Sequence, residues 1–297
     1  MPKHIPRVAA IHDISGFGRC SITVALPALS AMGVECCVLP TAYLSNHTAF
    51  PQFTFVDMTE HMRPALEHWK KLDLRFDAVY SGFLGSAEQI DIVRECIRDF
   101  RGSNTLAVVD PVMGDHGKPY PTYTPDMCRK MVTLAEEADL ITPNLTEASL
   151  LLDEPFSKAP RGEAAAREWL GRLSGDGKRA VVLTGYSTRE KFIGAAFVEK
   201  GGEPGFLELP FVGGEYHGTG DLFSSVLLGS LLRGQNLPQA VESAAVFVGA
   251  CAGVTAAEGR EAYGSVRFEP LLGRLAAPYS SSSSICSSGA SSEADHS

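Results

Sequence analysis

Among its seven cysteines the chain of 297 residues has no Cys-x-x-Cys pair, so the ligand spacing of a structural zinc site is missing. Cys20, Cys36, Cys37, Cys96, Cys128, Cys251 and Cys286 sit mostly in apolar segments, which fits buried reduced thiols better than disulfides. Basic residues are scarce relative to acidic ones, 26 Lys and Arg against 35 Asp and Glu, for a formal net charge of −9. Nucleic acid as the main partner needs a basic surface, and is excluded on that ground. No apolar run reads as long enough to span a bilayer, and the opening MPKHIPRVAAIHD lacks the apolar stretch of a signal peptide. The expectation is a cytoplasmic protein with no membrane partner. The Gly-x-x-x-x-Gly-Lys-Ser/Thr loop is absent too, as are the motifs of protein kinases and any internal repeat.

What is present is an ordinary globular composition, 44% hydrophobic and 21% charged, enough for one large α/β domain. Short β-rich runs at 7–11, 34–39, 78–83, 105–110, 139–142, 179–185, 192–198 and 206–212 alternate with amphipathic stretches around 20–32, 58–71, 86–101, 125–137, 145–152, 161–174, 220–233 and 237–257. Strand then helix, repeated, predicts a three-layer α/β fold: a central, mostly parallel sheet with helices on both faces. One domain over residues 1–275 is expected. The serine-rich 276–297 has too little apolar content to offset the entropy of ordering and reads as a disordered tail.

In such sheets ligands collect beyond the carboxyl ends of the strands, and polar and glycine residues concentrate there in this chain. HDISGFG follows the first run, DPVMGD the fourth, TPNLTE the fifth, and Thr184-Gly185 closes the sixth. Asp110 sits where a parallel strand delivers its last side chain into the crevice, although an Asp-Pro turn alone would explain it. Asn144 and Glu147 share one face of the next helix start, equally compatible with a capping box. Three carboxylates (Asp110, Glu147, Asp221) and the Asn144 amide aimed into one crevice would repel one another without a cation. Hard oxygen ligands with few protein contacts describe Mg²⁺ held partly through water and bridging to phosphates.

HGTGDLFSSVLLGSLLRG, residues 217–234, puts an acid at the mouth of an apolar helix. Ordinary helix punctuation would suffice to explain it. In the company of the other acids a second reading gains weight: Gly218, Thr219 and Gly220 close backbone N–H groups on an anionic oxygen at a helix start, and Asp221 accepts a proton from a substrate hydroxyl. The helix end would lower the pKa of Asp221 and nearby phosphates would raise it.

GTGD at 218–221, DPVMGD at 110–115 and PNLTE at 143–147, with LSNHT at 44–48 and SGFLGSAEQ at 81–89, resemble in order the motifs of the vitamin B6 (pyridoxal, pyridoxine, pyridoxamine) kinases of the ribokinase-like superfamily. The resemblance runs from about residue 7 to 260. It implies the ribokinase-like fold, ATP as co-substrate, Mg²⁺, a dependence on K⁺, a B6 vitamer as acceptor and a homodimer. It further implies Asp221 as catalytic base, with Gly218, Thr219 and Gly220 around the transferred phosphate. Asp110 and Glu147 would face the metal, and these two with Asn144, Thr184 and Gly185 the nucleotide. His47, Thr48 and Phe83 would line the pyridine ring. Asp13 or Ser15 would join them, in a stretch, IHDISGFGRCSIT, that departs from the better-known B6 kinases. The loop around HGKPYPTYTP is placed as a flap over the nucleotide.

The nearest rival is a hydroxymethylpyrimidine kinase of the same fold, which tends to carry cysteine where this chain has Asp221. From another class, Gly16-x-Gly18 after the first strand suggests a dinucleotide-binding oxidoreductase. That fingerprint needs a third glycine where Ser21 stands and an acid at the end of the second strand, which this reading ends at Pro40.

Overall fold

The computed structural model describes residues 4–259 and 264–276, so the expected tail from 277 onward and Cys286 lie outside the described residues. The alternating runs become β1 (Arg7–Ser15), α1 (Ile22–Ala31), β2 (Glu35–Leu44), β3 (Phe55–Asp57), α2 (Thr59–Lys71), β4 (Ala78–Ser81), α3 (Ala87–Phe100) and β5 (Leu106–Val109). Then come β6 (Gly114–Asp115), β7 (Lys118–Pro119), α4 (Pro125–Glu137), β8 (Leu140–Ile141), α5 (Leu145–Leu151), α6 (Glu163–Leu173), β9 (Ala180–Tyr186), β10 (Phe192–Val198) and β11 (Gly205–Pro210). The chain closes with α7 (Thr219–Leu232), α8 (Leu237–Ala257) and α9 (Leu272–Ala276).

Nine strands form one sheet in the order β11-β10-β9-β8-β5-β4-β1-β2-β3. Neighbours from β9 through β2 run parallel, while β3, β10 and β11 pair antiparallel at the edges. Because successive side chains alternate faces, β1 sends Ala9 and Ile11 into one apolar cluster and Val8 and Ala10 into the other. Helices α2 to α6 cover the first face, with Met62, Ile90, Met131 and Leu170 fully shielded, and α1, α7, α8 and α9 cover the second. Each such side chain contributes roughly 1.5–3 kcal/mol through burial. The helix starts follow sequence chemistry: Ser86 and Thr124 accept from the N–H three residues on, and Asn144 and Asn236 each open a capping box.

Four expectations change. Helix α8, at 21 residues, is long and apolar enough to cross a bilayer by length and composition, contrary to the reading that no run is. It packs on the sheet instead, with Leu237, Ala240, Val241, Ala244, Phe247 and Cys251 buried in the core beside α7. Strand β2 does not end at Pro40 but continues to Leu44, because past a register shift between His12 and Ile14 its pairing with β1 resumes at Tyr43 and Leu44, and β3 pairs along its other edge. Strand β1 likewise runs through Ser15, so Asp13 and Ser15 belong to a strand and not to a loop. Of the six described thiols only Cys96 and Cys251 are buried and the other four are partly exposed, although all six are free.

Candidate active site

The carboxyl ends of β1, β4, β5 and β8 meet the start of α7, and the site is built at that junction. Gly218 is the N-cap residue of α7 at φ 82°, a left-handed conformation suited to glycine, and a Cβ there would lie 2.0 Å from the Arg19 carbonyl oxygen. No side chain caps the helix, and its first internal bond is Leu222 N–H to the Gly218 carbonyl at 3.0 Å. The N–H groups of Thr219, Gly220 and Asp221 therefore stay open at the positive end of the helix, the ingredients of an anion site. The Thr219 hydroxyl donates to the Tyr216 carbonyl at 3.1 Å, so it fixes the turn.

Asp221 accepts from the Ser21 N–H through Oδ2 at 2.8 Å. Ser21 holds φ 50° to make that contact, a strained conformation costing of order 1–3 kcal/mol that the surrounding fold must impose. Burial pushes the Asp221 carboxyl up to about 7, the Asp13 charge adds to the rise and the Ser21 N–H opposes it. The rise comes from desolvation, an influence outside the pair weighed from sequence, the helix end and nearby phosphates.

On the neighbouring strand ends, Asp110 Oδ2 accepts from the Ser224 hydroxyl of α7 at 3.1 Å. Burial and then the Asp221 charge raise its pKa, against hydroxyl bonds from Ser224 and Thr142. Asn144 and Glu147 form the complete capping box of α5, so the structural reading of that pair holds. Glu147 Oε2 accepts from Asn144 N–H at 2.8 Å and Oε1 from Met113 N–H at 3.2 Å, while Asn144 Nδ2 donates to the Gly114 carbonyl at 3.0 Å. Burial first and the Asp110 charge second raise Glu147. Thr184 is bridged to Asn144, and Gly185 beside it is exposed with open space where a side chain would be. The 114–119 hairpin anchors its turn through Gly117 N–H to Thr146 Oγ1 at 2.9 Å.

The ring-binding candidates divide. His47 is buried and packs against His217, ring centroids 4.8 Å apart, directly before the open helix start. Thr48 is exposed beside it. Ser15 and Asp13 are buried, and the Ser15 hydroxyl donates to Asp13 Oδ2 at 3.0 Å, so the pair acts as a unit. Phe83 is half-buried, edge-on to Tyr123 at 6.4 Å. Sequence reasoning missed Ser21, His217 and Ser224. HGTGD places His217 two residues from Thr219, a signal that was legible, whereas Ser21 reaches Asp221 across 200 residues. Cys20 lies near both Asp13 and Asp221, and burial with their charges raises its thiol pKa, keeping it protonated and inert.

Among the described residues no group of three or more His, Cys, Asp or Glu could hold a metal ion. Asp110, Glu147 and Asp221 nevertheless form no ion pair with a described Lys, Arg or His, and their charges act on one another: Asp221 raises Asp110, and Asp110 raises Glu147. One or two carboxylates with water and phosphate completing the shell is the donor set of Mg²⁺, and these residues fit it.

Open helix N–H groups, a desolvated acid beside them and a parallel sheet edge define a small-molecule phosphotransferase of the three-layer α/β class. The family model described as phosphomethylpyrimidine kinase matches residues 21–266, and the chain belongs to that family, with its ribokinase-like fold. The pyridoxine/pyridoxal/pyridoxamine kinase of Bordetella avium is 30% identical over 257 residues, 81% of this chain and 82% of that protein. A Bacteroides thetaiotaomicron protein provisionally classed as a phosphomethylpyrimidine kinase, solved with pyridoxal, superimposes with a TM-score of 0.87 at 40% identity over 93% of this chain and 97% of its own. Pyridoxal kinase of Lactobacillus plantarum gives 0.84 at 29% identity, covering 92% and 97%. The fold is shared as well by Leishmania donovani pyridoxal kinase, solved with ADP and pyridoxamine, at 22% identity and TM-score 0.80 over 92% and 97%.

Proposed function

We propose that the protein transfers the γ-phosphoryl group of ATP to the 5′-hydroxymethyl group of a B6 vitamer. The observation that carries this reading is the uncapped start of α7 with Asp221 as its third residue. The hydroxymethyl oxygen forms a bond to the γ-phosphorus, the bond from that phosphorus to the β,γ-bridging oxygen breaks, and ADP leaves. Asp221 orients the hydroxyl and takes its proton, while the Thr219, Gly220 and Asp221 N–H groups stabilise charge on the transferred group. A pKa near neutrality suits that role. When bound, Mg²⁺ would neutralise the polyphosphate. Asp110 would hold it directly and Glu147, with both oxygens already accepting N–H bonds, through water. Thr184, Gly185 and Asn144 line the nucleotide side, and His47, Phe83 and the Asp13–Ser15 pair the vitamer side.

The hydroxymethylpyrimidine reading draws on the family description, and the presence of Asp221 after Gly220 favours the vitamer. A competition assay with pyridoxal, pyridoxamine, pyridoxine and hydroxymethylpyrimidine, resolving each phosphorylated product, tests it. A B6 vitamer is expected to dominate. Exclusive phosphorylation of the pyrimidine would overturn the acceptor assignment. Potassium dependence and a homodimer accompany the proposal from the family resemblance, checked by replacing K⁺ with Li⁺ in the assay and by sedimentation.

A further inference from the structure

Ser224 is buried at 1% exposure in the first turns of α7, in a contact with the sheet otherwise made by Leu222, Phe223, Val226 and Leu227. Its hydroxyl lies 3.1 Å from Asp110 Oδ2 and 3.0 Å from Thr142 Oγ1. A serine hydroxyl has one proton to give, and the carboxylate, an acceptor when ionised, is the partner that draws it. A buried hydrogen bond to a carboxylate stabilises the fold in its own right, so a functional role for Ser224 has to show in a readout other than melting. The two buried acids are held differently. Backbone N–H groups at Met113 and Asn144 fix both oxygens of Glu147, whereas Asp110 is held by side-chain hydroxyls, with Ser224 on Oδ2.

We propose that Ser224 is a positioning residue: by holding Oδ2 of Asp110 it orients that carboxylate toward the divalent cation that accompanies the nucleotide. It also ties that carboxylate to the helix whose first turn carries Asp221 and the open N–H groups. Ser224 lies three residues beyond Asp221, so the cation side and the phosphoryl side of the site are held in register by one turn of one helix. The inference rests on the reading of Asp110 as the acid that faces the metal.

The test is calorimetric titration of ADP into the full chain with and without Mn²⁺, taking the ratio of the two dissociation constants as the measure of metal coupling, alongside melting temperatures. Loss of a partner that orients a metal ligand typically costs 10–100-fold in metal affinity or activity, so Ser224→Ala is expected to lower the ratio about tenfold. Its melting temperature should fall by a few degrees, since a buried carboxylate loses a donor, while its metal-free ADP affinity should not change. Ser224→Cys, nearly isosteric with a weak donor, should fall between and carries the test if the alanine variant does not fold. Asp110→Asn separates the two readings. If it keeps the wild-type ratio, the metal assignment of Asp110 fails and this inference with it. If it loses the ratio while Ser224→Ala keeps it, only the role of Ser224 fails. A Ser224→Ala protein whose ADP affinity falls equally with and without Mn²⁺, leaving the ratio at the wild-type value, would mark a structural hydroxyl and also overturn the proposal.

Discussion

Asp221 carries the argument at the scale of single residues. Desolvation lifts its carboxyl to about 7, so near neutral pH it is divided between a form that accepts a proton and one that does not. The rate constant kcat/KM is expected to rise with pH along a limb of apparent pKa near 7, since that parameter reports the free enzyme. A profile flat from pH 5.5 to 8.5 would remove Asp221 from the role of base. Asp221→Asn keeps the shape and an oxygen for the Ser21 N–H, so turnover should fall about 10²- to 10⁴-fold with nucleotide affinity largely retained. The same substitution has a stability sign. A carboxyl whose pKa is raised on folding contributes stability that is lost as pH climbs through the folded value, so the ionised acid is a burden above pH 7. The asparagine variant should melt no lower than wild type at pH 8, and calorimetry checks it.

Elements set where those residues stand, and here glycine geometry gives a paired test. At Gly218 a methyl group meets the Arg19 carbonyl oxygen at 2.0 Å and φ is 82°, whereas at Gly220 no heavy atom lies within 4 Å. Gly218→Ala should lower the melting temperature by several degrees, with left-handed strain alone costing about 1–2 kcal/mol. Gly220→Ala should match wild type or exceed it, since alanine favours the helix. Equal melting temperatures in the two variants would mean that the turn before α7 yields. Most of this layer was legible in the sequence, since helices α2, α3, α4 and α8 begin and end within a residue of the runs read from periodicity. Strands β3, β6 and β7 were not, because they are short and largely exposed and leave no apolar run, unlike the equally short β8 with its buried Leu140 and Ile141. The site was legible as a set of strand-end and helix-start residues and illegible as a set of bonds. Nothing in the pattern FSSVLL separates Ser224, which reaches Asp110, from Ser225, whose hydroxyl bonds back to the Asp221 carbonyl. Asp13 and Ser15 read as loop residues since HDISG ends in a glycine, but pairing with β2 carries β1 to Ser15.

For the whole molecule the acids act as a group. Asp13, Asp110, Glu147 and Asp221 come from β1, the end of β5, α5 and α7; burial raises each, and none is paired with a described Lys or Arg. Between the ordinary carboxyl value near 4 and the raised ones the folded state holds more protons than the unfolded chain, so these groups lower stability as pH rises. His12 acts in the other direction. It is fully buried, which drives its pKa down to about 3, and its contribution is lost as pH falls below about 6.5. Above that point the raised acids set the difference between the two states, and the unliganded protein should lose stability toward pH 8. A divalent cation with nucleotide reverses the sign for the acids that face it, because it binds their ionised forms and at lower pH must first displace protons. The rise in melting temperature produced by saturating Mg²⁺ and ADP should therefore be larger at pH 8.5 than at pH 6.5, and Asp110→Asn should flatten that difference. Equal shifts at both values in the wild-type protein would mean that the acids of the crevice do not meet the cation, and that its sheet edge receives the nucleotide without one.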